Sequence, residues 1–326
     1  MQSVKSYEPR DKVAKPKRLC GFLKSKKSPK NPKLKVKENK PLGIKNNPKI
    51  IVRAIIYSLT SIALIIVIVI SAYNVIRWRA ENEATRAQLE EIYSATSFKD
   101  LDENEENSED KRVVDFILNT KKLIPSDDKY WTYIKYPLLE VDLSASIATN
   151  ADTAGWIQVP GTNIDYPFVQ TDNNDYYLTH TINRSWSSAG WVFLDYRNQK
   201  TLNDHNQIIY AHGRYDGSMF GSLGAVLSKE WLENEENHVV KISTTENNSL
   251  WQVFSVYQIK VTDDYLKINF IDDNRFQEFI DLIKNRSVYD FKTDVTPDNQ
   301  IITLSTCASG DERIVLHAKL IKKGAR

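Results

Sequence analysis

A mainly β fold with helices, closed into a barrel and preceded by one transmembrane helix, is what the 326 residues of this chain predict. Three observations lead there. After Trp131, short runs rich in β-branched and aromatic residues follow one another, separated by clusters of Gly, Asn, Asp and Pro. Helical spacing interrupts these runs only twice. One uncharged apolar run, residues 54–76, stands alone near the N-terminus. Many short strands with few helices are accommodated by a closed barrel carrying helical insertions.

Residues 1–53 hold 17 Lys and Arg against 3 Asp and Glu, a net of +14. The whole chain has 44 basic and 42 acidic residues, so the remainder carries 27 and 39, a net of −12. Such an asymmetry suggests that the two parts face different surroundings. The basic segment is rich in Lys, Pro and Asn and has too few apolar residues to offset the entropy of ordering it. It reads as a disordered cytoplasmic tail with loose attraction to anionic lipid headgroups. Tyr7 and Phe22 are its only aromatic residues, which argues against a nucleic-acid-binding module.

Residues 54–76 are 23 in number and uncharged. As a helix they span about 34 Å, enough for the roughly 30 Å hydrocarbon core. Arg53 and Arg77 bracket them, and Trp78 suits the interface. A cleaved signal peptide has a shorter apolar core and an earlier start. The reading is an uncleaved, single-pass signal anchor in the cell membrane. The Lys and Arg excess before it predicts a cytoplasmic N-terminus and an extracytoplasmic remainder.

Residues 77–129 are charged and read as a helical stalk followed by an N-terminal helix. Ala84, Ala87, Leu89 and Ile92 are loosely amphipathic, residues 100–110 are strongly acidic, and residues 113–122 form a second apolar cluster. Residues 130–326 read as one folded domain. Its strand candidates are 156–159, 191–195, 207–212, 239–243, 251–260, 301–307 and 313–321, and its helices are 218–233 and 275–284. In the second helix Phe276, Phe279, Ile280 and Ile283 recur at helical spacing.

There are two cysteines, Cys20 and Cys307, on opposite sides of the predicted membrane, so neither a disulfide framework nor a Cys/His zinc site is expected. Cys307 closes an apolar strand candidate, and Arg313 opens the next one after a turn. Side chains alternate along a strand. Ile314, Leu316, Ala318 and Leu320 then form one apolar face, and Arg313 lies on the other, near Cys307. A lone thiol beside a permanent cation at a sheet rim suits a nucleophile, although a free Cys is more often a small buried hydrophobe. His212 ends another apolar strand candidate just before Gly213, which makes it the candidate proton shuttle. His317 is the rival. It shares the Arg313 face but lies about 13 Å along the strand, away from the rim. His180, His205 and His238 sit in polar, turn-like contexts and read as surface residues.

The segment Thr303-Leu-Ser-Thr-Cys307 with Arg313 resembles the active-site strand pair of the sortases, the cysteine transpeptidases of Gram-positive surfaces. The stretches from Arg313 to Leu320, from Ile208 to Leu223 and from Gly155 to Pro167 are similar to class B members of that family. The resemblance implies an eight-stranded sortase-type barrel and a reaction without metal or organic cofactor. It implies Cys307 as nucleophile, His212 as general acid and base, and Arg313 as the group that binds substrate and oxyanion, with the Ala308 N–H as a second donor. The implied partners are a sorting-motif peptide of a surface protein and an amine of the peptidoglycan cross-bridge or a pilin lysine. One departure is Ser309, where several class B members carry an acid two positions after the cysteine. With reference pKa values, on the order of one per cent of independent Cys–His pairs is thiolate with imidazolium at neutral pH. Rival readings are a cysteine hydrolase and a non-catalytic binding module on the same scaffold. The histidine-glycine-cysteine context of an L,D-transpeptidase-like wall enzyme is absent.

Overall fold

The computed structural model describes residues 47–101, 128–307 and 311–326. The basic tail before residue 47, the acidic stretch beyond Leu101, the expected helix at 113–122, and the positions of Ala308 and Ser309 lie outside the described residues. The chain divides into two compact units, 1–62 and 63–326.

In the first unit the described residues are exposed and, from Pro48 on, helical. They open α1, which runs from Pro48 to Ser94 over 47 residues, roughly 70 Å of helix. This helix is long and apolar enough to cross a membrane, and none of its apolar window is buried.

In the second unit, the later turns of α1 bury Asn82, Thr85 and Ile92, residues at helical spacing. Leu89 packs against the same core, whereas Ala84 and Ala87 are exposed. The buried stripe is thus rotated from the one the alanines suggest. Its polar members have partners: the Thr85 hydroxyl donates to the Glu81 carbonyl, and Asn82 accepts from Arg214. Helix then gives way to strand β1, Phe98–Leu101, paired antiparallel with β2, Leu138–Val141. Two short helices flank β2: α2, Tyr130–Tyr133, and α3, Ser144–Thr149.

Eight strands close the barrel. In chain order they are β3 (Thr153–Val159), β4 (Ile164–Val169), β5 (Phe193–Leu194), β6 (Asn206–His212), β7 (Val239–Thr244), β8 (Asn247–Lys260), β9 (Ile301–Cys307) and β10 (Glu312–Ala325). Around the barrel the order is β10-β8-β7-β3-β4-β5-β6-β9. Closure leaves no sheet edge exposed. Strand β4 is not among the sequence candidates, because Pro167 demotes the run Ile-Asp-Tyr-Pro-Phe-Val. The ladder accommodates it opposite Trp156, and its carbonyl accepts from the Trp191 indole N–H at 2.9 Å.

The barrel interior is filled by Phe168, Trp191, Phe220, Leu304, Leu316 and their neighbours, all buried, while Trp156 is buried on the outer face against Tyr93 and Phe98. A second cluster lies on the other face of β8, β9 and β10. There α5, Asp273–Asn285, lays Phe276, Phe279, Ile280 and Ile283 onto Phe254, Tyr257 and Val315. The expected helix 218–233 is instead a 3-10 segment, Gly221–Leu227, and a short α4, Lys229–Glu233. The break is Ser228, whose extended backbone cannot continue a helix and whose hydroxyl caps α4 by accepting from the Trp231 N–H at 3.2 Å.

Candidate active site

Strand pairing brings the three predicted site residues to adjacent positions. Strands β6 and β9 run parallel, with His212 in register with Cys307. Strands β9 and β10 run antiparallel, with Cys307 in register with Arg313. Neighbouring strands lie about 4.8 Å apart, so three residues separated by up to 101 positions in sequence meet within two strand spacings. All three stand where their strands reach one rim: β6 and β9 end there and β10 begins.

The imidazole of His212 is half-buried, and its Nε2 lies 2.7 Å from the Leu178 carbonyl oxygen. A carbonyl only accepts, so Nε2 carries the hydrogen and Nδ1 is the basic nitrogen of the neutral ring. The backbone around Leu178 is held closely. Trp191 N–H donates to the Tyr177 carbonyl at 2.9 Å. Gly190, at φ +59°, passes so near that a Cβ there would stand 2.5 Å from the Tyr177 oxygen and 2.8 Å from that of Leu178. After His212 the chain makes a tight loop, in which the Phe220 N–H returns to the His212 carbonyl at 3.0 Å. The Arg214 side chain is buried between Asp216 and Asn82 of α1. The orienting carbonyl of Leu178 has no signature in sequence, since every residue supplies one.

Arg313 is half-buried. Its Nη1 donates to the Glu312 carbonyl at 3.0 Å, and among the described residues no carboxylate pairs with it. The guanidinium therefore keeps donors and a full charge for an incoming carbonyl or oxyanion. The Arg313 position shares the outer sheet face with Val315 and His317, the side over which α5 and the β8–β9 connection fold. From that connection, Tyr265 meets the Ser305 hydroxyl at 3.0 Å, two residues before Cys307. Arg286 holds Asp264 in a fork, with Nη1 donating at 2.8 Å and Nη2 at 2.5 Å.

His317 is removed from the rim, as its distance along the strand predicts. It is fully buried, opposite Thr303. The Thr303 hydroxyl donates to Asn206 Oδ1 at 2.8 Å, so it accepts from His317 Nδ1 at 2.9 Å. His317 Nε2 then accepts from the Tyr257 hydroxyl, also at 2.9 Å. Burial, helped by the Arg286 charge, pushes its pKa down to about 3. It is a satisfied, neutral core group and cannot shuttle protons near neutral pH. His238 corrects the sequence expectation of a surface residue: it is buried, edge-on to Phe291, with Nε2 3.1 Å from the Leu232 carbonyl. Among the described residues no group of His, Cys, Asp and Glu could hold a metal ion.

A family model for the sortase domain matches residues 157–321, about half of the chain. Sortase B of Listeria monocytogenes is 35% identical over 178 residues, covering 53% of this chain and 72% of that protein. A Bacillus anthracis protein described as similar to sortase B superposes with a TM-score of 0.56 at 30% identity, covering 74% of this chain and 97% of the other. A sortase B–substrate complex of Staphylococcus aureus gives a TM-score of 0.55 at 27% identity, covering 74% and 99%. A closed eight-stranded barrel, a cysteine and a histidine in register at its rim, and these relatives together place the chain in the sortase family, as a cysteine transpeptidase of the sortase B type.

Proposed function

We propose that this protein is a membrane-anchored transpeptidase that cleaves a C-terminal sorting motif of surface proteins and transfers the acyl part to an amine of the cell wall or of a pilin. Cys307 is the nucleophile, His212 the general acid and base, and Arg313 the group that binds the substrate carbonyl and the oxyanion. The observation that carries this reading is the double register of Cys307, with His212 on one side and Arg313 on the other.

In the first half-reaction the Cys307 thiol passes its proton to His212 Nδ1, its sulfur attacks the scissile carbonyl and a C–S bond forms. Negative charge develops on the carbonyl oxygen beside Arg313, where a fixed cation stabilises it more than the ground state. The C–N bond breaks as His212 delivers a proton from Nδ1 to the leaving amine. In the second half an amine attacks the thioester and His212 Nδ1 takes its proton, then returns it to the sulfur as the C–S bond breaks, which restores the thiol. The Leu178 carbonyl accepts the Nε2 hydrogen throughout and fixes the ring, as the third member of a triad does. The segment after Asp263, with α5, forms the wall that selects the motif. Helix α1 spans the membrane with its N-terminus cytoplasmic and the barrel outside.

The test is full-length protein in lipid vesicles, incubated with a panel of sorting-motif peptides with and without triglycine, and followed by mass spectrometry. A thioacyl adduct on Cys307 and an amine-dependent product, both lost in Cys307→Ala, are expected. Hydrolysis that triglycine does not divert would reduce the activity to that of a peptidase. An adduct that survives Cys307→Ala would remove the assignment of the nucleophile.

A further inference from the structure

We propose that the barrel rim carrying His212 rests in the bilayer interface, held there by an aromatic cluster of Trp78, Trp186 and Tyr215. The proposal rests on the reading of α1 as a membrane span. Only residues beyond 62, all in one compact unit, enter it.

The uncharged run ends at Ile76, so the hydrocarbon boundary falls at about that residue. The helix continues without interruption. One residue on, the Arg77 guanidinium lies over the ring of Trp186, 4.7 Å from its centroid. Trp186 belongs to the β4–β5 connection of the barrel, not to the helix. Glu81 accepts from the Ser188 hydroxyl at 2.7 Å, and Asn82 accepts from Arg214. At 1.5 Å per residue, Asn82 is about 9 Å above Ile76. The barrel is therefore fastened to the helix within its first two turns beyond the boundary, and Trp186 lies nearly level with the boundary itself.

The exposed aromatics coincide with that level. Trp78, Trp186 and Tyr215 are 43%, 53% and 93% exposed. Trp78 and Tyr215 line one open cavity of about 230 Å³ together with Ser188, His212 and Arg214. Large aromatic side chains left in water at one level of a protein mark an interaction surface. Trp and Tyr partition to the headgroup region, where the ring is in an apolar layer and the polar tip stays wet. Arg79 is exposed on the same turn and suits a lipid phosphate, while Arg77 is held by Glu81 at 2.9 Å. The occupant is a lipid surface because the helix that bears Trp78 and Arg77 delivers the cluster to one. As a result, the histidine that handles the proton works at the bilayer surface, and a substrate must present its scissile bond in that layer.

The full-length chain is reconstituted in vesicles of phosphatidylcholine and phosphatidylglycerol, with and without phosphatidylcholine brominated near the top of the acyl chain. The tryptophan emission lost in Trp186→Phe, and separately in Trp78→Phe, isolates each reporter, and circular dichroism confirms the fold. The Trp186 emission should fall at least about twofold with brominated lipid and be shielded from aqueous iodide. Tyr215→Trp in the Trp186→Phe background adds an exposed reporter that should behave alike. Quenching of Trp78, with Trp186 and the indole introduced at position 215 both unquenched and open to iodide, would overturn the proposal and leave the anchor standing. Loss of quenching at Trp78 as well would remove the anchor reading itself. Shielding from both iodide and bromolipid would identify a second copy of the chain as the occupant, and also overturns the proposal.

Discussion

The upper and lower ends of the β6–β9–β10 sheet carry the same kinds of side chain and do opposite things with them. At the rim, His212 is half-buried, bonded at one nitrogen and basic at the other, next to the Cys307 position. Further down, His317 has both nitrogens satisfied, by Thr303 and Tyr257, and is held neutral by burial. Both are histidines in strands beside β9. What separates them is solvent access and a lone pair that no donor occupies, since a proton shuttle needs one nitrogen free. A core histidine needs the reverse.

The contrast is sharpest at the rim. Cys307→Ala and His212→Ala should each lower transfer by at least about 10³-fold while changing stability by no more than about 0.5 kcal/mol. Turnover and urea melts, measured on the same preparations, check this. A rim variant that also melts early would break the contrast. Arg313→Lys keeps the charge and loses the planar fork. It should cost about 10²–10³-fold in kcat with a smaller change in KM.

At the lower end the expected pattern reverses. His317→Ala removes a buried ring, takes away the acceptor of the Tyr257 hydroxyl and leaves Thr303 with Asn206 alone, which should cost about 2–4 kcal/mol of stability. Turnover per folded molecule should stay within a factor of a few. Gly190→Ala lies between the two ends. Its positive φ and the close Tyr177 and Leu178 carbonyls predict a loss of about 1–3 kcal/mol. The displaced Leu178 carbonyl should also lower kcat and shift its pH profile, and a loss of stability with an unaltered profile would deny Leu178 its orienting role.

A further effect is in pH. The folded-state pKa of His317 is depressed, so the unfolded chain binds the extra proton first as pH falls. Its contribution to stability is complete above about pH 6.5, and is lost progressively as pH drops towards about 3. The slope has a limit of about 1.4 kcal/mol per pH unit. Urea midpoints between pH 7 and pH 4 should flatten in His317→Gln relative to the unsubstituted chain.

Much of the site is legible in the residues. The apolar run ending at Cys307 and the one beginning at Arg313 are strands whose ends must meet, because only five residues separate them. His317 is excluded by distance along its own strand. His212 is different. Ninety-five positions separate it from Cys307, and only the parallel pairing of β6 with β9 brings them level. The orienting carbonyl of Leu178 and the Arg214–Asn82 contact are less visible still, since backbone groups and polar helix residues carry no periodic signal. The α1 stripe illustrates the limit. Ala84 and Ala87 suggest one face, yet Asn82 and Thr85 are the buried members, because hydrogen bonds to Arg214 and to the Glu81 carbonyl satisfy them.

Periodic and compositional features follow from the order of residues alone: a run long and apolar enough to cross a membrane, a charge asymmetry, apolar strand runs, an amphipathic α5, and the residue types that thiol acyl transfer requires. These depend on near neighbours in the chain, where spacing and burial are coupled directly. Packing in three dimensions was needed to select which histidine has a free nitrogen, which carbonyl holds it, and that β4 tolerates Pro167. It was needed, too, to fasten the helix leaving the apolar run beside the rim that carries His212. Each of these depends on a partner far away in the chain, and a hydrogen bond or a strand register has no period that a single segment could carry.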